Sequence, residues 1–271
     1  MASNLECVGM GVADPDGLGA LIDSIRVQTV TIGRKAGIEV VRWQDTSGAR
    51  LVLGIADDGI HDLLPSLDSE IQTRLMTVRR ANDDIATAAV VDEKGHPLTS
   101  AAFEVEQNRL LPERPIEEAS AAIVCLGRDM TIHATPKEFG ESAASLLDPQ
   151  ADAASDPPER AAAHGLKWPP RMAPKSFISY GVFGSASEAG ATARLAGLVV
   201  SSDVRTNAAT GQRFVVATVD TGLLEVAVCL SGSEHPSAPE PGQVVAGTGY
   251  LVASIPELEG SRRRRWWWRG G

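Results

Sequence analysis

Histidine is the side chain best suited to hold a metal or move a proton near neutral pH, and this chain has five: His61, His96, His133, His164 and His235. No two of them stand at H-x-H or H-x3-H spacing, and no cysteine joins them, so their pattern offers no zinc site. His96 and His235 each precede a proline, as loop residues do. His133 lies in an apolar strand-like run, where a half-buried, hydrogen-bonded imidazole is the simpler reading. Asp57-Asp58 beside His61-Asp62, and Asp83-Asp84, could hold a divalent cation through oxygen; solvated turn residues explain them with fewer assumptions. No G-x-S-x-G elbow, P-loop or dinucleotide fingerprint is present. Gly9-Met-Gly11 has its third glycine misplaced, and Asp14-Pro15 would oppose a phosphate there. No residue is therefore assigned as catalytic, and no metal or cofactor is expected.

The strongest chemical signal is the closing run Ser261-Arg-Arg-Arg-Arg-Trp-Trp-Trp-Arg-Gly-Gly271. Three adjacent indoles cannot share one side of a helix or strand, so their burial needs a partner, a membrane surface or the protein's own acidic body. Guanidinium groups pair with carboxylates or phosphates and stack on indoles. Trp and Arg are also the residues most enriched at binding hot spots. Arg262, Arg263, Arg264, Arg265, Trp266, Trp267, Trp268 and Arg269 are accordingly the expected partner-binding residues. The first reading is a docking peptide for a protein partner or for self-association. Others are a membrane or nucleic-acid anchor, fold-back onto the acidic first domain, or an unselected terminus. The final Arg-Gly-Gly also resembles the end of ubiquitin-type modifiers, but no β-grasp order lies upstream.

Charge sharpens that contrast. Residues 1–150 carry a net −11, 151–186 a net +1, 187–260 a net −5 and the last eleven +5. An acidic body repels phosphate, which disfavours nucleic-acid binding by its surface and confines membrane contact to the tail. Cys7, Cys125 and Cys229 are odd in number and scattered, as buried thiols in a reducing compartment are. No basic leader and no apolar run near the ~20 residues of a membrane span is seen. A cytoplasmic location is the expectation.

What positions these residues is read from periodicity and turns. Leu5–Val12 reads as a strand. Asp14-Pro15 then opens a helix whose apolar face is Leu18, Leu21, Ile22 and Ile25. Strands are expected at 27–32, 37–43, 50–55, 74–78, 85–91, 101–106, 119–126 and 130–134. Glu104 and Glu106 flank Val105, so one face of that strand is expected to meet water. Thr135 and Glu138 form a capping-box pattern opening a helix to about Leu147. Residues 148–175 are rich in Pro and Ala and read as a linker. Beyond it, strands are expected at 193–201, 213–219, 223–230, 243–246 and 250–255, with a tight turn at Asp220-Thr221-Gly222. No internal repeat is visible.

The segment Leu195-Ala-Gly-Leu-Val-Val…Thr210-Gly-Gln-Arg-Phe…Pro241-Gly-Gln-Val-Val-Ala-Gly-Thr-Gly-Tyr-Leu251 resembles an OB-fold, over about a quarter of the chain. The resemblance implies a small closed barrel that binds nucleic acids or sugars, or serves as an interaction module. A nucleic-acid face needs exposed aromatics and cations. Here only Phe214 and Tyr250 are offered, with Arg194, Arg205 and Arg213 outnumbered by acids, and Phe214 reads more simply as core. The opening β-α-β-β-β order resembles a vicinal oxygen chelate (glyoxalase-like) module. That implies metal ligands on its strands, with Glu6 and His61 in roughly suitable places.

The expected architecture is α+β. A mostly antiparallel sheet domain with two helices spans 1–147, a Pro/Ala-rich linker 148–175, a five-stranded OB-like β-barrel 176–258, and the Arg/Trp-rich tail 259–271. The expected function is non-catalytic: a binding or assembly protein docking a partner through its tail. The alternatives are a small-molecule-binding or metal-dependent glyoxalase-like enzyme, using Glu6, His61 or His133, and a single-stranded nucleic-acid-binding OB protein.

Overall fold

A computed structural model describes residues 1–148 and 168–260. Helix α1 (Pro15–Ile25) starts where its cap is written: Asp14 Oδ1 accepts the Gly17 N–H at 2.8 Å, with proline at the first helical position. It buries Leu21 and Ile25. The run before it is not a strand. Residues Glu6–Val8 form a 3-10 turn, ended by Gly9 at φ 67°. Cys7, Val8 and Met10 are all fully buried, so this is an apolar segment packed on every side rather than a half-buried pleat.

An antiparallel meander follows: β1 (Val30–Lys35), β2 (Ile38–Gln44), β3 (Ala49–Ala56) and β4 (Gly59–Leu67). Strand β4 was not expected, because Asp57, Asp58, His61 and Asp62 read as a loop. In fact only the β3–β4 turn is loop, and His61 and Asp62 lie on the strand.

The remaining strands form one nine-stranded mixed sheet: β5 (Thr73–Arg80), β6 (Ile85–Val91), β7 (Pro97–Val105), β8 (Ile116–His133), β9 (Ser176–Ser179), β10 (Thr192–Thr206), β11 (Arg213–Asp220), β12 (Glu225–Ser231) and β13 (Val244–Ser254). Between β8 and β9 lies the short helix α2 (Pro136–Glu141), capped by Thr135 through the Glu138 N–H. It stops at Glu141 instead of Leu147 and gives way to a 3-10 turn at Ala143–Ser145.

The pairing of this sheet repeats itself. Strands β5, β6 and β7 form an antiparallel meander, and β8 pairs back onto β5. Strands β10, β11 and β12 do the same, with β13 back on β10. The two runs then exchange partners: β12 runs parallel to β8, β7 runs parallel to β13, and β8 and β13 pair antiparallel over eleven residue pairs. The hydrogen-bonded neighbours therefore close two five-strand circuits that share β8 and β13. The four long strands of the chain's last third do not close a circuit among themselves, as a barrel confined to 176–258 would; the fifth member, β8, comes from before residue 148.

Inward side chains of both circuits merge into one core, including Leu75, Val90, Phe103, Ile123, Val215, Val228, Leu251 and Ala253. The alternate residues of the second circuit, Phe214, Val216, Ala227 and Cys229, face the other way. They pack under Val40, Trp43, Leu51 and Leu53 of the meander and under Cys7, Val8 and Met10. Each fully buried large side chain here contributes roughly 1.5–3 kcal/mol. No helix among the described residues is long and apolar enough to cross a membrane.

Candidate functional site

Where the meander meets the mixed sheet, polar side chains replace this apolar packing. Glu106 follows β7 directly, and its side chain is fully buried. A carboxylate removed from water needs charge-assisted partners on both oxygens, and it has them. Its Oε1 accepts from Ser66 Oγ at 2.7 Å and from Arg50 Nη1 at 3.3 Å. Its Oε2 accepts from Ser254 Oγ at 3.0 Å and from Arg42 Nη1 at 3.4 Å. Arg42, Arg50 and Ser66 come from β2, β3 and β4, and Ser254 ends β13, so one carboxylate ties four strands together. Burial works against the Arg42 charge, yet the carboxylates of Glu259 and Glu106 outweigh it and hold the guanidinium above its ordinary range.

The same cluster reaches the end of the described chain. Arg42 Nη1 donates to Glu259 Oε1 at 2.5 Å, and Gln107 Nε2 donates to the same oxygen at 2.9 Å. Gln107 Oε1 accepts the Ile255 N–H, and the Gly260 N–H donates to Ile32 O at 2.9 Å. On the other side Arg50 also donates to Asp68 and Gln44. With both Glu106 oxygens already engaged, this carboxylate is a clamp and not a general base. Through Arg42, which it shares with Glu259, it also bears on the end of the described chain. The partner-binding residues expected from sequence, Arg262 to Arg265, Trp266 to Trp268 and Arg269, lie outside the described residues.

The wet face implied by the alternation is not there: Glu106 is buried and Glu104 is half-buried. Glu104 Oε2 accepts the Tyr250 hydroxyl at 2.6 Å, and the Arg128 guanidinium sits 4.7 Å from that ring's centre. Burial pushes the Glu104 carboxyl up. Tyr250 opposes this, and the nearby Asp84 and Asp62 carboxylates add to the rise. The signal was available in principle: a second sheet layer must cover β13, and Tyr250 needs a polar partner for its hydroxyl.

Glu6, His61 and His133 each have a local partner. Glu6 accepts the Ser3 N–H, His61 Nε2 lies 2.7 Å from Asp58, and His133 Nε2 lies 2.9 Å from Thr131 Oγ1 with its ring edge-on to Phe139. Asp62 accepts from Nε and Nη2 of Arg109, at 2.7 and 2.6 Å. Among the described residues no group of three or more His, Cys, Asp or Glu side chains is arranged to hold a metal. All three cysteines are buried, and burial pushes each thiol up, that of Cys7 to about 12. Comparison with protein-family models, curated proteins and solved structures finds no match for this chain.

Proposed function

We propose that this is a binding or assembly protein whose body presents the Arg/Trp segment 261–271 to a protein partner or to a second copy. The observation that carries the reading is the clamp at Glu259. Arg42, Gln107 and the Gly260–Ile32 hydrogen bond hold the chain up to the residue before five arginines and three tryptophans begin. A fixed origin lowers the entropy lost when such a segment engages a partner. With those five arginines set apart, the net −10 of the chain leaves −15 on residues 1–260. The segment's positive charge thus suits an acidic surface, on a partner or on a second copy of this body. The two five-strand circuits are compatible with small barrels of the OB type, whose members often serve as interaction modules.

Ending the chain after Gly260 tests the proposal, because Glu259 and its clamp are kept. The shortened protein should melt at the same temperature and lose its partner in pull-down, or its self-association in sedimentation. Capture that disappears only at high salt assigns the contact to the arginines, and capture that persists assigns it to the tryptophans. Full capture by residues 1–260 would overturn the proposal.

A further inference from the structure

The two strand runs share one pairing scheme, yet their outward faces are covered differently. On the second run the meander and the N-terminal segment lie over Phe214, Val216, Ala227 and Cys229. On the first run the equivalent strands, β6 and β7, turn Thr87, Ala89 and Ser100 outward, and the short stretch 181–189 stands beside them. Between them is a cleft of about 610 Å³. Its polar lining includes Thr77, Arg79, Arg80, Thr87, Ser100 and Ser185, and the rest is mostly alanine and glycine.

Three features set this cleft apart from an ordinary solvated sheet face. Two guanidinium groups line it, and neither makes an ion pair with a carboxylate among the described residues. Arg79 Nε reaches only Thr87 Oγ1, at 3.5 Å, while Arg80 donates to neutral acceptors, the Asp83 carbonyl and the Asn108 carbonyl and side-chain oxygens. Second, the β5–β6 register slips between Met76 and Arg79, and Thr77 there has φ 54°. A β-branched residue in the left-handed region is strained by roughly 1–3 kcal/mol, and such outliers and bulges concentrate at binding sites. Third, the hydroxyls of Thr77, Thr87 and Ser100 supply donors around the two charges.

We infer that this cleft binds a small organic anion, with its carboxylate or phosphate on Arg79 and its uncharged body on the alanine floor. The surrounding acids set the size of the ligand. Asp83 and Asp84 occupy the β5–β6 turn, and Glu188 is held at the rim by Ser185. A polyanion would meet these and the acidic body, whereas a single anionic group meets the local guanidinium pair.

The test uses the full chain with phenyl phosphate, benzoate and inorganic phosphate as probes, at constant ionic strength. Binding is followed by amide chemical-shift titration. At least one probe should give a saturable shift confined to residues around Thr77, Arg79, Thr87 and Ser100. Arg79→Gln should weaken it at least tenfold, and Ser100→Trp, which fills the cleft from an exposed position, should abolish it. Arg213→Gln, at an exposed arginine elsewhere, should bind as the parent does. Melting curves establish that each variant is folded. Preference for phenyl phosphate or for benzoate identifies which anionic group the site takes. Absence of saturation with all three probes, shifts spread over other arginines, or parental affinity in Arg79→Gln would overturn the inference.

Discussion

Replacing Glu106 by alanine should be among the most destabilising single substitutions outside the apolar core. The carboxylate is fully buried and accepts from two arginines and two serines. Removing one partner of a buried ion pair typically costs about 3–5 kcal/mol, because the charge left behind stays desolvated. Here Arg50 keeps Asp68 and Arg42 keeps Glu259, which places the loss near the lower end, at about 3 kcal/mol. For a chain of this size that corresponds to a fall in Tm of about 6–12 °C. Thermal melts and guanidinium titration of parent and variant measure it. Hydrogen exchange should rise at the same time at the Gly260 amide, since the cluster that fixes Glu259 is loosened. A loss below about 1 kcal/mol would refute the reasoning, since it would mean that water already screens the cluster.

Four further outcomes follow from the same structure. Glu104 carries a folded-state pKa above its ordinary value, so the folded protein binds more protons than the unfolded chain between the two values, and stability falls as pH rises through that window. Glu104→Gln should flatten that stretch of the stability–pH curve, matching the parent near pH 4 and equalling or exceeding it at pH 7. The Cys7 thiol, pushed up to about 12, leaves about one thiolate in ten thousand at pH 8, so iodoacetamide should label no cysteine of the native protein and three after unfolding. Gly19→Ala, in open space on α1, should add up to about 1 kcal/mol of stability in chemical denaturation. Gly247→Ala should instead unfold the protein or keep it from accumulating. That glycine has φ 150°, and an added Cβ would lie 2.0 Å from the Asp129 carbonyl.

The elements written in local chemistry were readable from sequence. The Asp14 and Thr135 caps start their helices, Ile85–Val91 has the bounds its apolar run implies, and Asp220-Thr221-Gly222 turns β11 into β12. What the sequence hid is non-local. Strands β8 and β13 each read as two short runs, because Gly127-Arg128-Asp129 and Gly247-Thr248-Gly249 carry turn chemistry. Those triplets lie opposite each other, Gly247 against Met130 and Gly249 against Gly127, with a bulge between. The glycines are there because another backbone passes close by, which no local pattern announces. The repeated pairing scheme left no trace in the residues, since one run faces a broad apolar layer and the other is covered only in part, by Ala189 and Ala191 over Ile85 and Ala102. The parallel contacts β12–β8 and β7–β13 require long crossovers, which places the Pro/Ala-rich stretch between strands of a single sheet. The Glu106 clamp was missed for a related reason: its arginines lie more than fifty residues away along the chain. Glu106 itself sat in an alternation that normally marks a wet face.

Grafting residues 261–271 alone onto an unrelated inert carrier separates the segment from everything that presents it. The account predicts that this carrier retains whatever partner the intact chain retains, more weakly for want of the clamp, and that an equal-length carrier with serine at 266–268 does not. A carrier that holds nothing, beside a body of residues 1–260 that still holds the partner, would contradict it.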